Sequence, residues 1–407
     1  MIVPNFASGT IWTRDCIEVM RGMNSETVDL IYLDPPFNSK QDYAAPIGSQ
    51  AAGAAFKDTW SLSDIDVEWI DLIERRNPAL QRILLAALTD SDKSYLVYMA
   101  ARLLEMPRLL KPTGSIYLHC DPTMSHSLKL VMDAIFGREN FGNEIIWSYR
   151  RWPAKHRNFQ RMHDVILRYS RGGGGVIWNQ LYEPHSQSFQ RRFKGKANVL
   201  ERGATKKRPA EHDTPGLPMR DVWDISIIAG SSSERVGYPT QKPLALLDRI
   251  IRASSNPGDM VLDPFCGCAT TCISAENLGR QWVGIDLSPK AGDLVLERLG
   301  AGEGAIRRSD VILRDDIPDR TDLGPLPRYN SPDVKRQLYG QQEGNCAGCD
   351  GHFEARHFEV DHIIARSRGG TDHPSNLQLL CGHCNRVKGD RGMEYLAGKL
   401  QLAAAAG

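Results

Sequence analysis

The chain has 407 residues, 41% of them hydrophobic and 24% charged, with a net charge of +1. That is too long for one ordinary core and predicts two or three domains. No apolar stretch approaches the ~20 residues that span a bilayer, and Met1-Ile2-Val3-Pro4-Asn5 lacks the charged start and apolar run of a signal peptide, so an intracellular globular protein is expected.

In chain order, Val28-Asp29-Leu30-Ile31-Tyr32-Leu33 predicts a short strand ended by Asp34-Pro35-Pro36. Residues 44–55, rich in Ala and Gly, predict a loop. A helical stretch over about 95–110 leads through Lys111-Pro112-Thr113-Gly114 into a second strand, Ser115-Ile116-Tyr117-Leu118-His119. Met260-Val261-Leu262 and Gln281-Trp282-Val283-Gly284-Ile285 are further strands, flanking a helix over about 271–278 capped by Gly279. Strands alternating with helices imply a mostly parallel sheet covered on both faces, its active loops at the carboxyl ends of the strands. Residues 313–335, with Pro318, Pro325, Pro327 and Pro332, read as a linker, and 403–407 as a frayed tail.

The net charge hides an uneven distribution. Residues 150–208 carry fifteen Lys and Arg against three acids, Asp164, Glu183 and Glu201, which suits a polyanion-binding surface; a solvated loop is the plain alternative. Arg150, Arg151, Lys155 and Arg157 are expected to contact DNA. Trp147, Trp152, Trp178 and Trp223 interleave with this block or flank it, although packing of a small subdomain explains each of them singly. Of nine cysteines, Cys16, Cys120, Cys266, Cys268 and Cys272 lie scattered in apolar segments and are expected to be reduced and buried. Cys346, Cys349, Cys381 and Cys384 form two Cys-x-x-Cys pairs. Four thiolates so spaced close a tetrahedral zinc site, which can fold a module too small for its own core. His383, inside a knuckle, is not expected to be a ligand.

Two loops carry the chemistry. In Asp34-Pro35-Pro36-Phe37 the prolines stiffen a strand end and contribute no N–H, leaving the Asp34 carboxylate and the Pro35 carbonyl to accept hydrogen bonds from an amine on a base. Phe37 offers a ring face on which a flipped-out base can stack. A strand-ending turn is the bland alternative. The second loop, Asp263-Pro264-Phe265-Cys266-Gly267-Cys268-Ala269-Thr270-Thr271, also follows a short strand and opens a helix. Its small residues let a ligand approach the backbone. About twenty residues later Gly284-Ile285-Asp286 ends a strand, and an acid at that offset suits the two hydroxyls of a ribose.

Taken together, these loops resemble those of the amino-directed (N6-adenine or N4-cytosine) DNA methyltransferases, in the permuted β group where the catalytic loop precedes the cofactor loop. The resemblance covers roughly residues 8–300. It implies a Rossmann-like α/β sheet dependent on S-adenosylmethionine, with an inserted target-recognition region, acting on double-stranded DNA. Thr240-Gln241-Lys242-Pro243 resembles the group's element at the cofactor pocket, so Gln241, Lys242 and Pro243 join Asp263, Phe265, Cys266, Gly267, Thr270 and Asp286 as expected cofactor-binding residues. Asp15 stands where the family has an acid near the cofactor adenine, and 158–167 resembles the approach to target recognition. Two departures stand out: Ala269 replaces the usual second loop glycine and favours a negative φ, and Phe37 replaces the commoner Tyr. Asp at the head of the catalytic loop resembles adenine enzymes more than cytosine ones. Members of this group often pair, so a homodimer is among the expected partners.

Residues 336–390 resemble HNH endonucleases, a zinc-bound ββα-metal module. The resemblance implies that Asp361 and Asn385 hold one Mg²⁺, that His362 is the general base and that Asn376 orients its imidazole; Asn385 stands where many relatives have His. The expected domains are a catalytic half (1–145), a target-recognition insertion (146–235), a cofactor half (236–312), a linker (313–335) and the HNH module (336–395). Methylation of adenine N6 combined with DNA cleavage, as in a compact restriction–modification protein or a phage-borne modifier, is the first reading. An N4-cytosine enzyme whose zinc module only binds DNA is the second, and an RNA or protein-glutamine methyltransferase the third.

Overall fold

In the computed structural model the described residues are 2–405, apart from 41, 46–48, 52–54, 57, 60–72, 74–76, 154–156, 173, 200–207 and 301–310. Nine strands form the main sheet: β1 (Thr10–Thr13), β2 (Val28–Leu33), β3 (Leu110–Cys120), β4 (Phe141–Ser148), β5 (His163–Ser170), β6 (Val222–Asp224), β7 (Met260–Asp263), β8 (Gln281–Asp286) and β9 (Ile312–Arg314). Their spatial order is β6-β4-β5-β3-β2-β7-β8-β1-β9. All neighbours run parallel except β5, which is antiparallel to β3 and β4.

Alternation along the central strands explains the double cover. On β2, Ile31 and Leu33 face one core and Leu30 and Tyr32 the other, because successive side chains point to opposite faces. The first core is closed by α1 (Cys16–Gly22), α2 (Asp90–Leu103) and α3 (Ser125–Phe136) through Met20, Leu96 and Leu128. The second is closed by α4 (Leu244–Ser254), α5 (Thr270–Asn277) and α6 (Lys290–Gly300) through Leu247, Ile250, Ile273 and Val295. Gly279, at φ +72, follows α5 as expected. The five scattered cysteines are buried and unbridged.

The strands expected to carry the catalytic and cofactor loops, β2 and β7, are neighbours in register, Leu30 beside Val261 and Ile31 beside Leu262. From this pair the chain runs outward in both directions, so a crevice opens above their carboxyl ends. Both loops reach it from the same edge.

Four expectations of local structure change. The second strand begins at Leu110 rather than Ser115, since Leu110 already pairs with Val28 across an irregularity in the register. Within 44–55 the ends are a short ribbon, Tyr43–Ala44 against Ala55–Phe56. Residues 403–405 are not frayed but close a helix, α9, that starts at Met393. The linker is no free tether either. β9 adds to the sheet edge, the Asn24 side chain donates to Thr321 Oγ1 (2.7 Å) and accepts from Thr321 N (2.8 Å), and Ser25 N donates to Asp322 (2.9 Å). Pro318 O lies 2.0 Å from where a Cβ on Gly22 would stand, so only glycine admits this crossing.

After α7 (Pro332–Gln341), β10 (Phe358–His362) and β11 (Leu377–Cys381) form an antiparallel pair with Asp361 opposite Gln378, followed by α8 (Gly382–Lys388). This is the expected ββα unit, with its own core of Val334, Leu338, Phe358, Leu379, Leu380 and Leu396.

Candidate active site and metal centre

A cavity of about 580 Å³ lies above β2 and β7, lined by Asp15, Asp34, Pro35, Pro36, Phe37, Gln241, Lys242, Asp263, Phe265, Cys266, Gly267, Thr270 and Asp286. The structure thus brings together all the residues expected there except Pro243, which instead sits at the N-cap of α4. Asp15 caps α1 by accepting from Ile17 N (3.0 Å) and is gripped by both oxygens from Arg102 Nη2 (2.9 and 2.7 Å). Gln241 braces its own loop, accepting from Val236 N and donating to Glu234 O.

Lys242 does something the sequence did not suggest. Its Nζ donates to both oxygens of Asp34, at 2.7 and 2.6 Å, and stands 5.0 Å from the centre of the Phe37 ring. The ammonium therefore occupies the carboxylate expected to receive an amine. The loop beyond is clamped by Asp58, which accepts from Asn38 N (2.6 Å) and Ser39 N (2.8 Å).

The cofactor loop is strained. Gly267 is at φ +50, where a Cβ would press on the Tyr238 ring at 3.0 Å, and Ala269 takes φ +56. The negative φ expected of Ala269 is not observed: closing the turn onto α5 needs a left-handed residue, and an alanine there costs roughly 1–2 kcal/mol. Asp286 holds the turn by accepting from Gly267 N and Ser288 N, both at 2.8 Å, and burial pushes its carboxyl up. Burial also pushes Asp263 up, to about 7, against hydrogen bonds from Thr271 and Phe265 N that favour its ionised form.

A buried polar chain lies behind Phe37. Tyr32 Oη meets His119 Nδ1 (2.8 Å), His119 Nε2 meets Asp164 Oδ2 (3.0 Å), and Tyr149 donates to Asp164 Oδ1 (2.9 Å). Phe37 stacks on the His119 ring at 5.5 Å and 29°. Burial alone would push the Asp164 carboxyl up, but the hydrogen bond and charge of His119, with Lys242 and Tyr149, bring it down to about 2. The sequence offers no periodic signal for such a chain, since His119 and Asp164 read as strand residues until β3 and β5 pair.

In the insertion, Trp147 and Trp223 are buried as packing residues, whereas Trp152 and Trp178 are exposed. Arg150, Arg151 and Arg157 are exposed on the loop between β4 and β5; Lys155 lies outside the described residues.

In the HNH module the sulfurs of Cys346, Cys349, Cys381 and Cys384 lie within 4.8 Å of one another. Four thiolates about 2.3 Å from a central ion would stand ~4 Å apart, so the set fits zinc. The group excludes His383, and backbone N–H groups of Gly348 and Cys381 already point at Cys346 Sγ (3.4 and 3.2 Å). The other motif residues are arranged differently from expectation. His362 Nε2 meets Asp372 Oδ1 at 2.8 Å. Asn376 does not orient this ring: its amide bonds the backbone of Ile364 and Thr371, holding the loop closed. Asp361 accepts from Gln378 and forms an ion pair with Lys388 Nζ at 3.0 Å, while Asn385 is bonded to Glu359. The two residues expected to share a Mg²⁺ thus each have a protein partner, Asn385 through its amide nitrogen, which leaves its oxygen as the donor for an ion.

Fold and site together define a doubly covered α/β domain with a loop-lined crevice, followed by a small module whose four cysteines fit a zinc ion. A family model described as DNA methylase matches residues 28–297, and one described as HNH endonuclease matches 346–391. The chain belongs to the DNA methylase family and carries an HNH domain. It is 28% identical over 359 residues to the type II methyltransferase M.EcaI of Enterobacter cloacae, covering 74% of this chain and 71% of that one. It is 26% identical over 295 residues to the DNA adenine methyltransferase YhdJ of Escherichia coli, covering 71% and 82%. Among solved structures, TTHA0409 of Thermus thermophilus, complexed with S-adenosyl-L-methionine, aligns with a TM-score of 0.41 and 19% identity over 75% of this chain and 98% of that one.

Proposed function

We propose that this DNA methylase transfers a methyl group from S-adenosylmethionine to the N6 amine of adenine in double-stranded DNA. The observation that carries the reading is the meeting of the Asp34 loop and the Gly267 loop across one crevice, from adjacent strands. The cavity volume of about 580 Å³ lies inside the range for small-molecule sites. The cofactor supplies an electrophilic methyl group on a sulfonium. Phe37 stacks the base, and Asp34 with the Pro35 carbonyl accepts the amine N–H groups, so that the nitrogen lone pair turns to the methyl carbon. Asp34 must then share or release Lys242, and the proton lost from nitrogen passes to its carboxylate or to water. Asp286 keeps free lone pairs for ribose hydroxyls. The adenine preference rests on Asp at the head of the loop and on the adenine-directed relative.

The test is sequencing with modification detection on DNA from cells expressing wild type or Asp34→Ala. N6-methyladenine at a defined site, lost in the variant while cofactor binding persists, is expected; N4-methylcytosine would overturn the base assignment, and retained methylation in the variant the role of Asp34.

The HNH module acts on the same DNA. His362 held by Asp372, beside an open cavity, favours cleavage; Asp361 held by Lys388 favours binding alone. Relaxation of a supercoiled plasmid with added Mg²⁺, lost in His362→Ala, would establish the first; intact plasmid bound by the wild type would establish the second.

A further inference from the structure

We propose that Trp152 and Phe159 form an aromatic wedge that enters the duplex at the target step and fills the place of the extruded base. The proposal rests on the base-flipping reading above. Both side chains stand on the loop between β4 and β5, closed at its foot by Tyr149 N donating to Met162 O (3.0 Å) and higher up by Gln160 Nε2 donating to Trp152 O (2.9 Å). This loop and the start of β5 line a second cavity of about 630 Å³, the loop with Tyr149, Arg151 and Arg161 and the strand with His163 and Asp164. That cavity shares Phe37 and Lys242 with the cofactor crevice, so it is where a base stacked on Phe37 would sit. The loop therefore stands at the entrance through which a base must pass.

Exposure and charge identify the occupant. Trp152 is 92% exposed and Phe159 102%, while the nearby Trp147 and Trp223 are buried. Single exposed apolar side chains are ordinary on a protein surface, but two whole rings on one short loop are held out of a core that could take them. From 149 to 163 there is no acidic residue, and Arg150, Arg151, Arg157 and Arg161 flank the two aromatic residues along the chain. Cations would meet the flanking phosphates and flat apolar faces would meet base pairs, the combination by which proteins insert side chains between stacked bases. Extruding a base leaves a gap one ring thick, and a tryptophan or phenylalanine ring replaces the lost stacking. Arg161 lies 3.8 Å from Asp121, itself in the wall of the second cavity, and an apolar protein partner would not explain the arginines that remain.

The experiment compares two short duplexes carrying the site found by modification sequencing. One pairs the target adenine with thymine; the other sets it opposite an abasic position, where it is already unpaired. Single-turnover methyl transfer is measured for wild type and for the Trp152→Ala/Phe159→Ala double variant. The variant is expected to lose roughly tenfold or more on the paired duplex and less than about twofold on the abasic one, given the worth of base–aromatic stacking. With 2-aminopurine at the target position, the fluorescence rise on binding should fall in the variant. Equal loss on both duplexes, or no loss on either, overturns the wedge. A wild type that methylates neither duplex would sink the proposed function instead, so the two failures are distinguishable.

Discussion

Two aspartate–lysine pairs, one in the methylase crevice and one in the HNH module, do opposite things. In the methylase crevice Lys242 and Asp34 are 8% and 18% exposed, and the pair faces a cavity from which a substrate can approach. In the HNH module Lys388 and Asp361 are 1% and 9% exposed; Lys388 also donates to His362 O (2.8 Å), and Gln378 covers the other side of the carboxylate. Opening the first pair brings in water or an amine. Opening the second leaves a charge in a small core, where the desolvation penalty has no compensation. One lysine is a latch on a reactive group and the other is a strut.

The four-cysteine cluster, which fits zinc, sets the largest expected effect on that comparison. Cys346→Ser should lose the ion and unfold the HNH module, since structural zinc supplies about 10–16 kcal/mol of apparent binding free energy to such folds, while the methylase sheet keeps its own transition. Metal content and urea unfolding read both; a folded, metal-free module would show that the strut and core suffice. Next comes Lys388→Met, which should destabilise the module by about 3–5 kcal/mol, with Asp361→Leu/Lys388→Met close to neutral. Lys242→Met should cost less than about 1 kcal/mol of methylase stability, because Asp34 then turns to water. Equal costs at the two lysines would remove the distinction between latch and strut.

How much of this was legible in the sequence follows from how far each signal reaches. β2, β7 and β8 lie where expected because each is a mostly apolar run bounded by turn residues, and their burial on both faces needs no distant information. The crevice was legible too, since parallel strands deliver their loops to one edge. Lys242 on Asp34 was not: the partners are 208 residues apart and nothing local marks the pairing. The linker misled because prolines favour irregular backbone, yet irregular backbone can be pinned, as Thr321 and Asp322 are by Asn24 and Ser25. Asp372 takes the place expected of Asn376 for a similar reason. Both follow a Gly-Gly turn, and only the closed loop decides which side chain reaches the His362 ring.

A pH-dependent effect would sharpen the picture of the crevice as a place where carboxylates are crowded but not sealed. Asp263 is buried beside Asp34 and Asp286, and its carboxyl sits at about 7 instead of an ordinary 3.8. A folded value raised above the unfolded one means that the native state binds the proton more tightly. The associated stability is fully present below about pH 4, declines as pH rises through the interval up to about 7, and is absent above it. Asp263→Asn keeps an oxygen to accept from Phe265 N and cannot ionise. Relative to wild type, its urea midpoint for the methylase transition should therefore improve steadily between pH 4 and 7 and then level off, by up to about 4 kcal/mol in all. A difference between the two proteins that does not change with pH would mean that Asp263 is ionised in the native crevice at neutral pH, with its neighbours and the Thr271 hydroxyl outweighing burial.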